Sequence, residues 1–534
     1  MKSTRYKHIA RIGAVLILTL SWGMMASCAS DAADGVYNET PSSGEEGGGS
    51  GVGQSGAQDF GRFRSIIEAG EVPAPNTLDV VGFFNEHKYE LPSPDCGENV
   101  CLHGMFGVWG NMLNGANCTL TMLGFNTPLD PKEFERPPLN MAIAVDTSGS
   151  MNGEPIRLVK NGLAKLAESL NPKDTVTLIS YAGDARVVVE SSPETDPDRA
   201  LLVNGISELQ AQGGTNIYEG LKQALTIVDE SKDPNRQNRV LLLSDGMASE
   251  GIQNRERIIN LGKSYAEQGI GISTIGVGKS FDIELMQRLS ESGAGNFYFI
   301  ENISTVIEVF EEEVDTFLIP VAEDVRIDLD IAKGYRFRAT YGTRTWEGED
   351  DRASVEIPAL FIATRTSVDD IGPGGGRRGG GGAILFEVVP TADVDELDSI
   401  DPNEPVGQIT MTFRTPGTDQ EVTQSTTIVN TLAPGDTPEE GVFDNATVEK
   451  AFVTLNLYVG FKLAVERYSA GSAQRALDVL EPLVDNVEAW LQDNPDEDIE
   501  DDLVTMDQLI KTLEPIAEQE NGQPEPAPNP WPED

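Results

Sequence analysis

The run Asn140-Met-Ala-Ile-Ala-Val-Asp146-Thr-Ser148-Gly-Ser150-Met151 constrains the fold of this chain more than any other stretch. Met141 to Val145 is unbroken apolar sequence, the pattern of a strand buried on both faces. It ends in Asp146, after which Asp146, Ser148 and Ser150 offer oxygen side chains at alternate positions. Gly149 permits a sharp turn, and a helical pattern follows in Ile156, Val159, Leu163 and Leu166. Strand, oxygen-rich turn and helix in that order mark the carboxyl edge of a parallel sheet, where open α/β sheets place their ligands.

Three side-chain oxygens are too few to hold a hard cation, so later strand ends must supply the rest. Gly213-Gly214-Thr215 precedes a helical pattern from Ile217 to Val228, and Arg239-Val-Leu-Leu-Leu-Ser-Asp245-Gly246 repeats the strand-then-Asp arrangement. Asp146, Ser148, Ser150, Thr215 and Asp245 together resemble the von Willebrand factor type A family and its metal-ion-dependent adhesion site. That pattern is Asp-x-Ser-x-Ser, then a distant Thr, then a distant Asp.

The resemblance implies an α/β, Rossmann-like domain over 139–318, with a central, mostly parallel sheet and helices on both faces. It also implies that the five side chains bind Mg²⁺, with Mn²⁺ or Ca²⁺ as substitutes, and that a protein partner presents an Asp or Glu to the ion. The chemistry agrees. Mg²⁺ takes about six oxygens and keeps some waters. Three neutral hydroxyls and two carboxylates leave a bound ion electrophilic, and the nearby helix N-terminus favours an incoming anion. A plainer reading makes Asp146 and Asp245 helix caps. Capping does not account for Thr215 and both serines together.

A phosphotransferase or phosphatase site on such a turn wants a second carboxylate at position 148, where this chain has Ser148. Hydrolytic triads need a base, and His87 and His103 sit in ordinary contexts. The chain therefore reads as an adhesion or scaffold module rather than an enzyme. The competing reading is a metal-dependent hydrolase or phosphatase whose ion activates water.

Residues 1–27 read as an export signal, with Lys2, Arg5, Lys7 and Arg11 ahead of the apolar run Ile12 to Trp22. Met25-Ala26-Ser27-Cys28 resembles the bacterial lipobox, which implies lipidation at Cys28 and attachment to the cell envelope. In a Gram-negative cell, Ala29 after the cysteine implies the outer membrane. Residues 28–58, rich in Gly, Ser, Glu and Ala, read as a flexible tether. A net charge of −48 argues against nucleic acid and against a bare anionic membrane surface as partners.

The rest divides by texture. Residues 59–93 read as a small helical N-terminal domain, with two short helices broken at Pro73-Ala-Pro75. Its wording resembles a small domain found ahead of type A modules in bacterial lipoproteins. In an exported chain Cys96, Cys101 and Cys118 imply one bridge, Cys96–Cys101 or Cys96–Cys118, with one thiol left over. Residues 94–138 and 319–432 carry alternating strand patterns, read as one β-sandwich into which the type A module is inserted. The Gly-rich stretch around Arg377 and Arg378 reads as a long hairpin loop. Residues 440–515 read as paired amphipathic helices, the acidic stretch Asp493 to Asp502 as a solvated turn between helices, and 516–534 as a disordered tail.

Overall fold

The computed structural model describes residues 50–130, 136–278, 281–307, 309–310, 320–363, 380–391, 404–418, 420–432 and 441–521. The export signal, Cys28, Arg377, Arg378 and the Pro-rich tail from Gln523 lie outside the described residues.

In chain order the first elements are β1 (Ser50–Gln54), β2 (Gly56–Ala57), α1 (Gly61–Glu68), α2 (Val80–Asn85), β3 (Cys101–Gly110) and β4 (Asn117–Thr127). The α/β segment comprises β5 (Leu139–Asp146), α3 (Glu154–Ser169), β6 (Thr175–Tyr181), β7 (Ala185–Ser191), α4 (Ala200–Glu208), α5 (Ile217–Glu230), β8 (Gln237–Ser244), α6 (Arg255–Ala266), β9 (Gly271–Val277), α7 (Ile283–Ser292), β10 (Asn296–Ile300) and α8 (Ile303–Ile307). Strands return with β11 (Pro320–Ile331), β12 (Tyr335–Tyr341), β13 (Trp346–Glu349), β14 (Arg352–Ala363), β15 (Ile384–Pro390), β16 (Pro405–Arg414), β17 (Glu421–Val429) and β18 (Val442–Phe443). Three helices close the described chain: α9 (Ala446–Ser469), α10 (Ala473–Leu491) and α11 (Glu497–Asn521).

In the α/β sheet the order is β2-β10-β9-β8-β5-β6-β7, with β7 antiparallel at one edge. Every residue of β5 is buried, because helices cover both faces. Met141, Ile143 and Val145 join Leu158, Leu163 and Phe310 in one cluster, while Ala142 and Ala144 join Leu221, Leu225 and Leu289 in the other. Continuous apolar sequence is the pattern such a two-sided strand requires. The order of the chain reverses between β5 and β8, so their carboxyl ends form the switch point of the sheet. Asp174 fixes the start of β5. It takes both guanidinium nitrogens of buried Arg136 at 3.0 and 2.7 Å, and the Leu139 amide at 2.8 Å.

Strands from both sides of this segment share one antiparallel sheet: β4 pairs with β3, β15 and β1, while β11 pairs with β14 and β16. The sheet folds over on itself, so Phe106 and Phe125 on one half meet Ile357, Ile409 and Met411 on the other. The sandwich is thus one continuous sheet closed by packing, with the α/β segment inserted between β4 and β11.

Several sequence expectations need correction. Residues 50–57 of the expected tether are strands. β1 pairs antiparallel with β14, Gly51 opposite Ala363, whereas β2 pairs parallel with β10, Ala57 opposite Phe297. Gly56, at φ 113°, makes the turn between the two sheets, a conformation that favours glycine. Low-complexity sequence concealed this because a strand of two to five residues carries no readable periodicity.

Residues 59–93 form no core of their own. Phe60, Phe63, Phe83 and Phe84 share a cluster with Tyr458 and Phe461 of α9, and the Phe63 and Phe461 rings meet edge-on at 5.5 Å. The acidic stretch is only partly a solvated turn. Asp502 is fully buried, with Oδ2 2.9 Å from His87 Nε2, and Asp498 accepts from Lys450 Nζ at 2.8 Å. Helix α11 continues past the expected boundary at 515 to Asn521, because Ala517 still packs in the helical core. Cys96 and Cys101 form a disulfide with Cα atoms 5.7 Å apart. No free thiol is found among the described residues, so the expected leftover thiol is not observed there. None of the described helices is long and apolar enough to cross a membrane.

Candidate metal centre

The switch point brings together the carboxyl ends of β5 and β8 and the turn before α5. Asp146 is the last residue of β5 and is fully buried. Its Oδ1 accepts the Ser148 amide at 2.8 Å, and its Oδ2 accepts the Ser244 hydroxyl at 2.7 Å. Ser148 Oγ lies 3.0 Å from Ser150 Oγ, and Ser150 Oγ donates to Asp245 Oδ1 at 2.8 Å. Thr215 completes the ring. A Cβ built on Gly246 would lie 3.5 Å from both Ser150 Oγ and Thr215 Oγ1, so those hydroxyls flank one point. All five side chains singled out in the sequence therefore line one small region, with Ser150 exposed to solvent.

None of these groups caps a helix. The N-cap of α3 is Gly153, that of α5 is Asn216, whose side chain accepts from Glu219, and that of α6 is Asn254, accepting from Arg257. With Asn216 capping α5, the Thr215 hydroxyl has no hydrogen-bond partner among the described residues. The capping explanation for Asp146 and Asp245 fails on the same ground.

Burial pushes the Asp146 carboxyl up to about 6, and Asp245 adds to the rise, while bonds from Ser244 and Ser148 oppose it. Burial also raises Asp245, opposed by its bond from Ser150. Neither carboxylate has a cationic partner among the described residues. Two buried acids, both pushed above the ordinary carboxylate range and ringed by neutral hydroxyls, fit a hard divalent ion, which supplies the missing positive charge. Among the described residues no group of three or more His, Cys, Asp and Glu side chains is placed to hold a metal ion; this donor set is hydroxyl and carboxylate oxygen, which suits a hard cation.

Sequence reading missed the groups that hold the ring. Ser244 orients Asp146, the Gly213 carbonyl accepts the Gly149 amide at 3.0 Å, and Ser249 Oγ accepts the Thr215 amide at 3.0 Å. Ser244 immediately precedes Asp245, so its strand-end position was the available signal. Met247, 60% exposed, stands on the rim. The histidines lie elsewhere: His87 against Asp502, and His103 Nε2 2.7 Å from Asn126 Oδ1.

A doubly wound sheet with such a ring at its switch point defines a class of fold and site. Residues 140–312 match the family model of the von Willebrand factor type A domain, and the chain carries a domain of that family. The protein YfbK of Escherichia coli (strain K12), described as uncharacterized, is 32% identical over 203 residues, 38% of this chain and 35% of YfbK. Human inter-alpha-trypsin inhibitor heavy chain H2 is 26% identical over 198 residues, 35% of this chain and 21% of its own length. This chain thus spans about a third of the first relative and a fifth of the second. A von Willebrand factor type A structure from Catenulispora acidiphila aligns with a TM-score of 0.49 at 15% identity, covering 76% of this chain and 88% of that one.

Proposed function

We propose that the protein is a divalent-metal-dependent protein-binding module. Asp146, Ser148, Ser150, Thr215 and Asp245 would hold Mg²⁺, with Mn²⁺ or Ca²⁺ as substitutes. When bound, the ion supplies the positive charge that attracts an Asp or Glu of a protein partner. The observation that carries this reading is the convergence of three hydroxyls and two cation-free carboxylates at a switch point, none employed in capping. Ser244 holds Asp146 in place, and the Ser150–Asp245 bond holds the turn after β5 against the end of β8. Exposure of Ser150 leaves the ring open to a partner. Binding rather than hydrolysis is favoured because both described histidines are committed elsewhere.

The test combines melting curves with affinity capture. The full chain is melted with Mg²⁺ and with EDTA, and captures from solubilised envelope are compared in the same two conditions, for wild type and Asp146→Ala. A Mg²⁺-dependent partner held by the wild type and lost by a folded Asp146→Ala protein supports the reading. Captures identical across both conditions and both proteins refute it.

We further propose an exported protein held to the bacterial envelope, at the outer membrane of a Gram-negative cell, by a lipid on Cys28. This rests on the basic and apolar order of the first residues and on Met25-Ala26-Ser27-Cys28. Cys28→Ser is expected to abolish labelling by a radioactive fatty acid and to shift the protein from the membrane to the soluble fraction. Unchanged labelling of that variant would remove the proposal.

A further inference from the structure

At the opposite end of the type A sheet from Asp146, a cleft of about 690 Å³ lies between this domain and the folded-over sheet. Its volume is within the roughly 300–1,000 Å³ of small-molecule sites. The starts of β8 and β9 and the end of α6 form one wall, and β11, β14 and β16 form the other.

Arg239, the deepest cation in this cleft, is only 4% exposed. Its Nη1 donates to the Ala294 carbonyl at 2.7 Å, and its guanidinium lies over the Phe361 ring at 5.4 Å. The Nε has no hydrogen-bond partner, and no described carboxylate forms an ion pair with this arginine. Glu323, the acid whose field it feels, is bonded to Arg414 at 3.0 Å. A buried guanidinium with an idle donor and no counterion is a costly arrangement, and an anion is what would relieve it.

The surroundings are shaped around that charge. A Cβ on Gly271 would come within 1.6 Å of Arg239 Nη1, so this glycine makes the room the guanidinium occupies. Ala294 at φ 52° and Asp324 at φ 51° face the cleft from opposite walls, and both are left-handed without being glycine. Such strain persists where surrounding structure enforces it, which is common at ligand sites. Lys263, in the last turn of α6, brings a second cation to the cleft and has no ion-pair partner among the described residues. In a chain of net charge −48, two such cations in one recess are a local exception.

We propose that this cleft binds a small organic anion, a carboxylate or a phosphate ester, whose charge is received by the guanidinium of Arg239 and by Lys263. Arginine's planar fork suits bidentate oxyanions, and Lys263 adds a mobile point charge at the mouth. Bound there, the anion touches both walls and ties the type A domain to the sheet. The site is separate from the metal ring, so either reading can fail without the other.

The test is calorimetric titration of the full chain with inorganic phosphate and, separately, with succinate, at constant ionic strength in KCl. Hydrogen exchange locates any binding. Expected is saturable binding of at least one probe, with protection at 269–271, 292–294 and 323–326. Lys263→Ala, an exposed position that cannot unfold the core, is expected to weaken binding about tenfold, and Arg239→Gln to abolish it. Asp146→Ala is expected to bind as wild type does. Which probe saturates identifies the anionic group. The proposal is overturned if neither probe binds saturably, if protection falls elsewhere, or if Lys263→Ala binds like wild type.

Discussion

Ser150 Oγ donates to Asp245 Oδ1 across 2.8 Å, although 95 residues separate them. The bond fastens the turn after β5 to the end of β8, so the ring around Asp146 is assembled before any ion arrives. Preassembly of this kind limits the ordering cost of binding. It also lets the ring's consequences be tested one residue at a time.

Asp146→Ala is expected to melt in EDTA at or above the wild-type temperature, because it removes a buried carboxyl whose ionisation burial opposes. With Mg²⁺ at a hundred times its Kd, the wild type is expected to gain about 2.7 kcal/mol and the variant nothing. Calorimetric melting with and without Mg²⁺ checks both halves. A variant stabilised by Mg²⁺ as strongly as wild type contradicts the ligand assignment.

Gly82→Ala tests the N-terminal clip, residues 50–57, whose two strands bridge the two sheets. A Cβ there would lie 2.2 Å from the Asp59 carbonyl oxygen and 3.1 Å from Ala57 Cβ, so α2 must shift away from the chain leaving β2. Backbone cannot give way as a side-chain tip can, and the expected cost is roughly 1–3 kcal/mol. Limited proteolysis is expected to cut near residues 50–58 sooner than in the wild type. Unaltered urea unfolding and an unaltered cleavage pattern would show that the clip carries no load.

Glu291 sits at the junction between α7 and the folded-over sheet, with Arg344 Nη1 3.9 Å away. Burial pushes its carboxyl up to about 7 from an ordinary 4.5, with Arg288 opposing. The folded protein therefore holds this proton more tightly than the unfolded chain does. Its contribution is fully present below about pH 4.5 and is lost as pH rises through about 7, with an upper bound on the order of 3 kcal/mol. Glu291→Gln is expected to flatten that fall, measured by urea unfolding at several pH values across the interval. The same slope in both proteins would contradict the assignment.

The buried pair of His87 and Asp502 joins the segment just past α2 to α11, with both side chains fully inaccessible. Asp502→Ala leaves the imidazole nitrogen without its partner and is expected to cost roughly 1–3 kcal/mol. A double-mutant cycle with His87→Ala separates pairing from packing. A coupling energy near zero would mean the two contribute independently.

Much of the central domain could be read from residue order. The apolar run into Asp146 and its repeat into Asp245 are strands whose both faces are covered, and only a parallel sheet with helices on each side makes such runs stable. Ser148 and Ser150 follow at alternate positions because the turn must aim both hydroxyls the same way. Thr215 was legible through the two glycines before it. Ser244 and Ser249 were not singled out, since a serine that orients a neighbour looks like any other serine until its partner's position is known.

The N-terminal clip and the helical core escaped for a different reason. Ser50 to Ala57 has no apolar alternation of its own; its conformation comes from backbone bonds to β14, β4 and β10, which are remote in sequence. Asp498 and Asp502 read as a solvated acidic turn because their partners, Lys450 on α9 and His87 just past α2, are remote in sequence.

Local order alone determined which segments become buried strands, where oxygen ligands meet strand ends and where helices alternate, since periodicity and turn chemistry act over a few residues. Tertiary structure decided the rest: that one sheet takes strands from both sides of the inserted domain, that residues 50–57 bind two sheets together, and that Arg239 is buried with no ion-pair partner among the described residues. Those features depend on distant backbone edges and charges meeting in space, and the free energy of such a meeting is written in no single stretch of the chain.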